Sequence, residues 1–219
     1  MNYTAVIVAA GSGSRSHLSY NKVLYPFQGH PVLELPLALF RSDPDCQQII
    51  LVCAPHELDD FTARFSGEKT ELVCGGETRQ QSVLHGLRKT TGDYVLIHDG
   101  ARPFVSLALI ERIKSALERH PSVVPGIDVV DTIKELDENG MVIRTPIRSR
   151  LRAIQTPQAF ATSLVLDALE QAEASQTPVT DDAMAVEVFE KIPTLCVQGE
   201  ESNFKITHPD DLERIRQSE

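Results

Sequence analysis

Ala5-Val6-Ile7-Val8-Ala9-Ala10-Gly11-Ser12-Gly13-Ser14-Arg15 is the stretch that decides the fold. The apolar residues 5–8 read as a short strand, and the small residues after it let a ligand come close to the backbone. Arg15, and Lys22 seven residues later, bring two cations to the same place. This pattern suits a strand and loop that hold the phosphates of a nucleotide. Two better-known phosphate loops fail on spacing. No Gly-Lys-Ser or Gly-Lys-Thr occurs, so G-x-x-x-x-G-K-[ST] is absent, and Ser16 stands where the dinucleotide fingerprint needs a third glycine. A tight two-glycine turn beside unrelated surface cations remains open for this loop taken alone.

Outward from that stretch, strand-like and helix-like segments alternate. Residues 49–53, 71–74, 94–98, 122–124 and 195–197 are short, β-branched and almost continuously apolar, as parallel strands covered on both faces are. Helical spacing is read over 32–41, 79–89, 107–119, 164–174, 181–191 and 209–216. Ser106 and Thr180 stand as N-caps, and Pro209 opens the last helix. The alternation predicts a doubly wound α/β sheet, with ligands beyond the carboxyl ends of the strands. One segment departs from it. Residues 132–136 and 142–145 flank Asp137-Glu138-Asn139-Gly140, and Asn-Gly between β-rich runs signals a hairpin. A protruding arm that packs on a second subunit would explain it, as would a solvated surface hairpin. The expected organisation is one domain over 1–219 with a β-arm, 132–158, inserted in it.

Composition narrows the function. The chain has 219 residues, a formal net charge of -10, 42% hydrophobic and 24% charged residues. An acidic chain is a poor nucleic-acid binder, since such binding neutralises many phosphates, yet a few local cations suffice for a small anionic substrate. No run of 18 apolar residues predicts a membrane span, and no secretion leader is read at the N-terminus. Cys46, Cys53, Cys74 and Cys196 are scattered without a C-x-x-C, which suggests reduced thiols in a cytoplasmic protein. There is no H-E-x-x-H and no G-x-S-x-G, so zinc hydrolase and serine hydrolase readings have no motif behind them.

Two further strings stand at the same predicted sheet edge, and two cationic segments follow later in the chain. Gly75-Gly76-Glu77-Thr78-Arg79-Gln80-Gln81-Ser82 lets the backbone pass close to a planar ligand and places Arg79 and Ser82 three apart on a helix start. A plain turn into a helix fits it equally. His98-Asp99-Gly100-Ala101-Arg102-Pro103 ends a strand in a carboxylate suited to Mg²⁺, or to an ion pair with Arg102. Arg144, Arg148, Arg150 and Arg152 suggest an anion site, an interface or a solvated basic strand, and Lys205 precedes the final helix.

Taken together, eight strings in order resemble the 2-C-methyl-D-erythritol 4-phosphate cytidylyltransferase family over nearly the whole chain. They are Ala9 to Arg15, Asn21-Lys22, Gly75 to Val83, His98 to Pro103, Asp131-Thr132-Ile133-Lys134, Gln155-Thr156-Pro157-Gln158, Thr180-Asp181-Asp182-Ala183 and Asn203-Phe204-Lys205-Ile206-Thr207. The resemblance implies a Rossmann-like sheet of the nucleotide-diphospho-sugar transferase type, a dimerisation arm, and transfer of CMP from CTP to methylerythritol phosphate with Mg²⁺. It implies that Ala9, Ala10, Gly11, Gly13, Gly75, Gly76, Arg79, Ser82 and Asp99 bind CTP, with Asp99 on the metal. Arg15, Lys22 and Lys205 would be catalytic around the α-phosphate. Arg102, Thr132, Arg148 and Thr156 would hold the acceptor, Thr132 and Arg148 acting across a homodimer. The chain departs from the family at Pro146-Ile147-Arg148 and Arg152, where an acid and a tryptophan are usual, so Arg150 competes with Arg148 for the acceptor phosphate. Ser16 also replaces a methionine. A ribitol-5-phosphate cytidylyltransferase, with the same CTP motifs, is the nearest rival, and a non-catalytic nucleotide binder is a more distant one.

Overall fold

The computed structural model describes residues 1–11, 18 and 20–216. Among the described residues, twelve strands occur in chain order: β1 Tyr3–Val8, β2 Pro26–Phe27, β3 His30–Pro31, β4 Cys46–Cys53, β5 Thr70–Cys74, β6 Tyr94–Asp99, β7 Ser122–Asp128, β8 Glu135–Leu136, β9 Val142–Arg144, β10 Arg152–Ile154, β11 Gln158–Ala161 and β12 Leu195–Gln198. The helices are α1 Glu34–Ser42, α2 Leu58–Phe65, α3 Arg79–Leu87, α4 Leu107–Leu117, α5 Thr162–Ala174, α6 Asp182–Ala185 and α7 Pro209–Arg216.

The central sheet runs β12-β7-β11-β6-β1-β4-β5, with β10 beside β7 on the same side as β11. Strands β6, β1, β4 and β5 are parallel. From β1 the chain moves outward to β4 and β5, then returns to β6 on the opposite side. That reversal opens a crevice beyond the carboxyl ends of β1 and β6. Alternate residues of β1 face opposite sides, as the strand period requires. Ala5 and Ile7 join a core with Leu37 of α1, Phe61 of α2, Ile110 of α4 and Ile215 of α7. Val6 joins the other core with Leu84 of α3, Leu169 of α5 and Ala185 of α6. Two buried layers, one on each face, explain why these strands lack polar alternation.

The structure differs from the sequence expectations in several elements. Helix α2 has no counterpart among the expected segments. Strand β11 is antiparallel to both neighbours, and residues 152–158, expected in the arm, lie largely in the central sheet, where Ile154 pairs with Gly126 and Gln158 with Ile97. Asp181, not Thr180, caps α6, its carboxylate accepting the Met184 N–H. The helix that follows continues over Val186–Glu190 as a π-turn. The hairpin is present as β8 and β9, but its turn is built differently. Asp137 Oδ1 accepts the N–H groups of Asn139 and Met141, Gly140 takes the left-handed φ of +80°, and the strand register shifts beside it. That is a bulged loop on a type I turn rather than a two-residue Asn-Gly turn.

Candidate active site

The crevice holds a cavity of about 370 Å³ at the carboxyl edge of the sheet. Ala9, Ala10 and Gly11 line it from the end of β1, and Gly76, Arg79 and Ser82 from the turn into α3. Asp99 comes from the end of β6, Lys22 from a 3₁₀ turn and Lys205 from a loop. Residues far apart in the sequence therefore meet where the first motif predicts. Gly13 and Arg15 lie outside the described residues.

Each wall has a local cause. Asn21 is buried and bridges the strand end to the lysine. Its Nδ2 donates to Ala9 O (2.7 Å) and to Glu57 Oε2 (3.0 Å), while its Oδ1 accepts the Val23 N–H. This starts the 3₁₀ turn Lys22–Leu24 and leaves Lys22 buried against the cavity. On the opposite wall, Ser82 Oγ accepts the Gly76 N–H (3.1 Å) and donates to Thr78 O (2.9 Å), tying the turn to α3. Gly75 lies where a Cβ would come within 2.7 Å of Ala10 Cβ and 2.8 Å of Ser82 Oγ, so glycine alone lets the two ligand loops touch.

Asp99 is the centre of the charge network. Its Oδ1 accepts from Arg79 Nε at 3.2 Å, its Oδ2 faces Lys205 Nζ at 2.8 Å, and Arg102 Nε is 3.7 Å away. Burial alone would push this carboxyl up, but Arg79, Lys205 and Arg102 together outweigh it and hold the group well below the usual carboxylate range. Arg79 also makes a two-pronged ion pair with the buried Asp182, Nη1 to Oδ1 at 3.0 Å and Nη2 to Oδ2 at 2.9 Å. Burial raises the Asp182 carboxyl despite Arg79.

Beneath Asp99 a chain of hydrogen bonds fixes the β6 end. The Asp99 N–H donates to Thr156 Oγ1 at 3.0 Å. His98 Nε2 lies 3.0 Å from Arg102 O, which can only accept, so this nitrogen carries the proton. His98 Nδ1 then accepts from the Thr156 hydroxyl at 3.2 Å. Burial pushes His98 down to about 4, so the ring is neutral at pH 7. The Lys205 segment is fastened to the same place. Arg102 Nη1 donates to Asn203 O, Asn203 Nδ2 to Thr156 O, and the Ile206 N–H to Ala101 O, each at 2.8 Å. Two buried polar atoms in this corner, Arg102 Nε and Asn203 Oδ1, have no hydrogen-bond partner.

Thus Lys22, Lys205, Ala9, Ala10, Gly11, Gly76, Arg79, Ser82 and Asp99 share one cavity, with Gly75, Arg102 and Thr156 packed directly against it. Thr132 and Arg148 do not line it. Both are exposed on the arm, where Arg148 Nη1 donates to Val130 O. The sequence assigned no role to Asn21, Glu57 or Asp182. Asn21 and Asp182 stand inside quoted motifs, whereas nothing in the sequence marks Glu57.

Comparison with known proteins decides the family. The family model described as 2-C-methyl-D-erythritol 4-phosphate cytidylyltransferase matches residues 3–217. The chain belongs to that family. It is 41% identical over 218 residues to the 2-C-methyl-D-erythritol 4-phosphate cytidylyltransferase of Geobacillus kaustophilus, covering 97% of this chain and 94% of that one. It is 42% identical to the Bacillus velezensis enzyme of the same name, covering 97% and 93%. Among solved structures, the 4-diphosphocytidyl-2C-methyl-D-erythritol synthase of Anaerococcus prevotii superposes with a TM-score of 0.88 at 33% identity, covering 99% of this chain and 95% of that one. The cytidylyltransferase of Thermus thermophilus gives 0.83 at 33% identity, covering 100% and 98%. As a cytidylyltransferase of this family, the chain is a nucleotidyltransferase with a mostly parallel α/β sheet. No helix among the described residues is long and apolar enough to cross a membrane.

Proposed function

We propose that the crevice binds CTP and transfers CMP to 2-C-methyl-D-erythritol 4-phosphate, giving 4-diphosphocytidyl-2-C-methyl-D-erythritol and pyrophosphate. The observation that carries this assignment of the site is the meeting of Lys22, Arg79, Asp99 and Lys205 on one cavity in a member of this family. The acceptor's phosphate oxygen is already an ionised nucleophile, so no protein nucleophile is needed. It attacks the α-phosphorus in line, and pyrophosphate leaves. Catalysis then consists of bringing two anions together and stabilising charge on the equatorial oxygens. Lys22 and Lys205, with Arg15 from the preceding loop, are the cations assigned to that charge. Gly11, Gly13, Gly76, Arg79 and Ser82 hold the nucleotide. Arg102 is assigned to the acceptor, supported by its buried Nε, which faces Asp99 at 3.7 Å but makes no hydrogen bond.

Asp99 fits Mg²⁺ in one mode. It offers a single ionised carboxylate, and no group of three His, Cys, Asp or Glu that could hold a metal occurs among the described residues. Mg²⁺ accepts one carboxylate when phosphate oxygens complete its shell. Asp99 would hold the ion, which would neutralise triphosphate charge there, with Lys205 and Arg79 as the neighbouring cations. We also assign the arm to a homodimer, with Thr132 and Arg148 reaching the partner's acceptor site. Support comes from the side chains that the arm leaves uncovered: Leu136, Met141, Val142 and Ile143 are all more than half exposed. Cytoplasmic location is inferred from the four free cysteines.

The test is pyrophosphate release from CTP and Mg²⁺ with either acceptor. Release with methylerythritol phosphate alone is expected. Release only with ribitol 5-phosphate would move the chain to the rival activity, and release with neither would leave a nucleotide binder.

A further inference from the structure

We infer that Asp182 is a positioning residue that acts through Arg79, holding its guanidinium so that it serves the nucleotide instead of closing onto Asp99. The inference rests on the crevice being the CTP site. Arginine carries five N–H donors in a rigid fork. Here the two Nη atoms each give one to Asp182, and Nε gives its own to Asp99. Two N–H groups are left for a ligand. The paired end of the fork is the end that forms the strongest contact with a carboxylate. Asp182 occupies it, so Asp99 receives only the single Nε contact. Take Asp182 away and no other hydrogen bond or ion pair described for Arg79 holds that end. It can then rotate onto Asp99, 3.2 Å from Nε already, and form a closed pair over the carboxylate that faces the cavity.

The site around Asp182 is built for holding. The residue is 1% exposed and opens α6. Gln158 on β11, itself buried, braces that turn from the sheet. Its Nε2 donates to Asp181 Oδ2 at 2.8 Å, and its Oε1 accepts the Ala183 N–H at 3.1 Å. The carboxylate of Asp182 is therefore referenced to β11, the neighbour of β6 that carries Asp99. Two strands of one sheet thus set the distance across which Arg79 is stretched.

The test measures CTP binding by calorimetry and the kinetic split for Asp182→Asn, with Arg79→Gln and the double variant beside it. Asp182→Asn keeps the shape of the side chain and removes its charge. A tenfold weaker CTP Kd and a matching rise in KM are expected, with kcat at saturating CTP within about threefold. A purely structural role would instead reduce the active fraction, lowering kcat at unchanged Kd, and would overturn the inference. The double variant is expected to bind CTP no more weakly than Arg79→Gln alone, and a full additional loss there would also overturn it. Gln158→Ala loosens the brace without removing a charge, so it serves if Asp182→Asn does not fold. A threefold weaker Kd is expected, and an unchanged one would count against the inference. Wild-type protein that binds no CTP would instead overturn the assignment of the crevice itself.

Discussion

The carboxyl edge of the sheet and the hairpin arm treat charge and apolar surface in opposite ways. At the sheet edge, Arg79, Asp99, Asp182 and Lys205 are drawn together, and nearly every polar group beneath them has a partner. On the arm, arginines are spread in solvent, and Val130, Met141, Ile143 and Ile147 stand at 60–79% exposure. The edge is a closed set of interactions awaiting anions. The arm is an open one whose apolar side chains are largely left uncovered by the described residues. The difference teaches that the two regions would fail for different reasons: the edge through lost charge or geometry, and the arm, in the proposed homodimer, through lost association.

The largest expected effect is at the edge. Lys22→Ala and Arg15→Ala should each lower kcat by about 10²–10³-fold, or about 3–4 kcal/mol, the usual cost of removing one donor aimed at transition-state charge. Steady-state kinetics on purified, folded variants checks this, and near-normal kcat in either removes that residue from the mechanism. Next comes pH. His98 is neutral and titrates at about 4 in the folded chain against 6.5 ordinarily. The unfolded chain therefore binds the proton first, so stability is full above pH 6.5 and is lost as pH falls toward 4. This group alone accounts for about 3 kcal/mol over that window. Asp99 acts in the same direction at lower pH, because its carboxyl is held below the usual range. Urea unfolding between pH 7 and 4 should show the decline, and His98→Gln should flatten it.

A third, smaller effect sharpens the geometric side. Gly75→Ala inserts a Cβ between Ala10 and Ser82. It should cost about 1–3 kcal/mol by overpacking and raise the KM for CTP. Unchanged stability and KM would mean that the two loops do not need to touch. The smallest effect on the fold is on the arm. Ile143→Asp should alter monomer stability by no more than about 0.5 kcal/mol yet weaken self-association. Sedimentation velocity reads the second effect and chemical unfolding the first. A wild-type chain that stays monomeric at micromolar concentration would break the contrast between the two regions.

Much of the edge is legible in the sequence because each of its pieces is local. A strand, a glycine turn and a polar residue at i+3 are written in neighbouring residues, as at Val8 to Gly11 and Gly75 to Ser82. Helix α4 is legible for the same reason, since Ser106 accepts the Leu109 N–H as an N-cap does. Helix α2 is not, because only one short stripe, led by Phe61 and Phe65, is apolar. Strands β10 and β11 are hidden by the Gln155-Thr156-Pro157 kink between them. Asp182 is hidden by distance, since its partner Arg79 lies 103 positions earlier. Spacing reports what one helix or strand presents, and it is silent on which elements the sheet brings side by side.

The fastening of Lys205 has a consequence for how the protein comes into being. Strands β1, β4, β5 and β6 all precede residue 100 and pair with one another. Asp182 and Lys205 emerge from the ribosome much later, and Lys205 finds its place only when Asn203 and Ile206 dock on Thr156 and Ala101. Until those late residues dock, the edge built by β1 and β6 lacks two members of its charge network, Asp182 and Lys205. In the proposed function, the triphosphate site is therefore completed by the segment of chain that is made last.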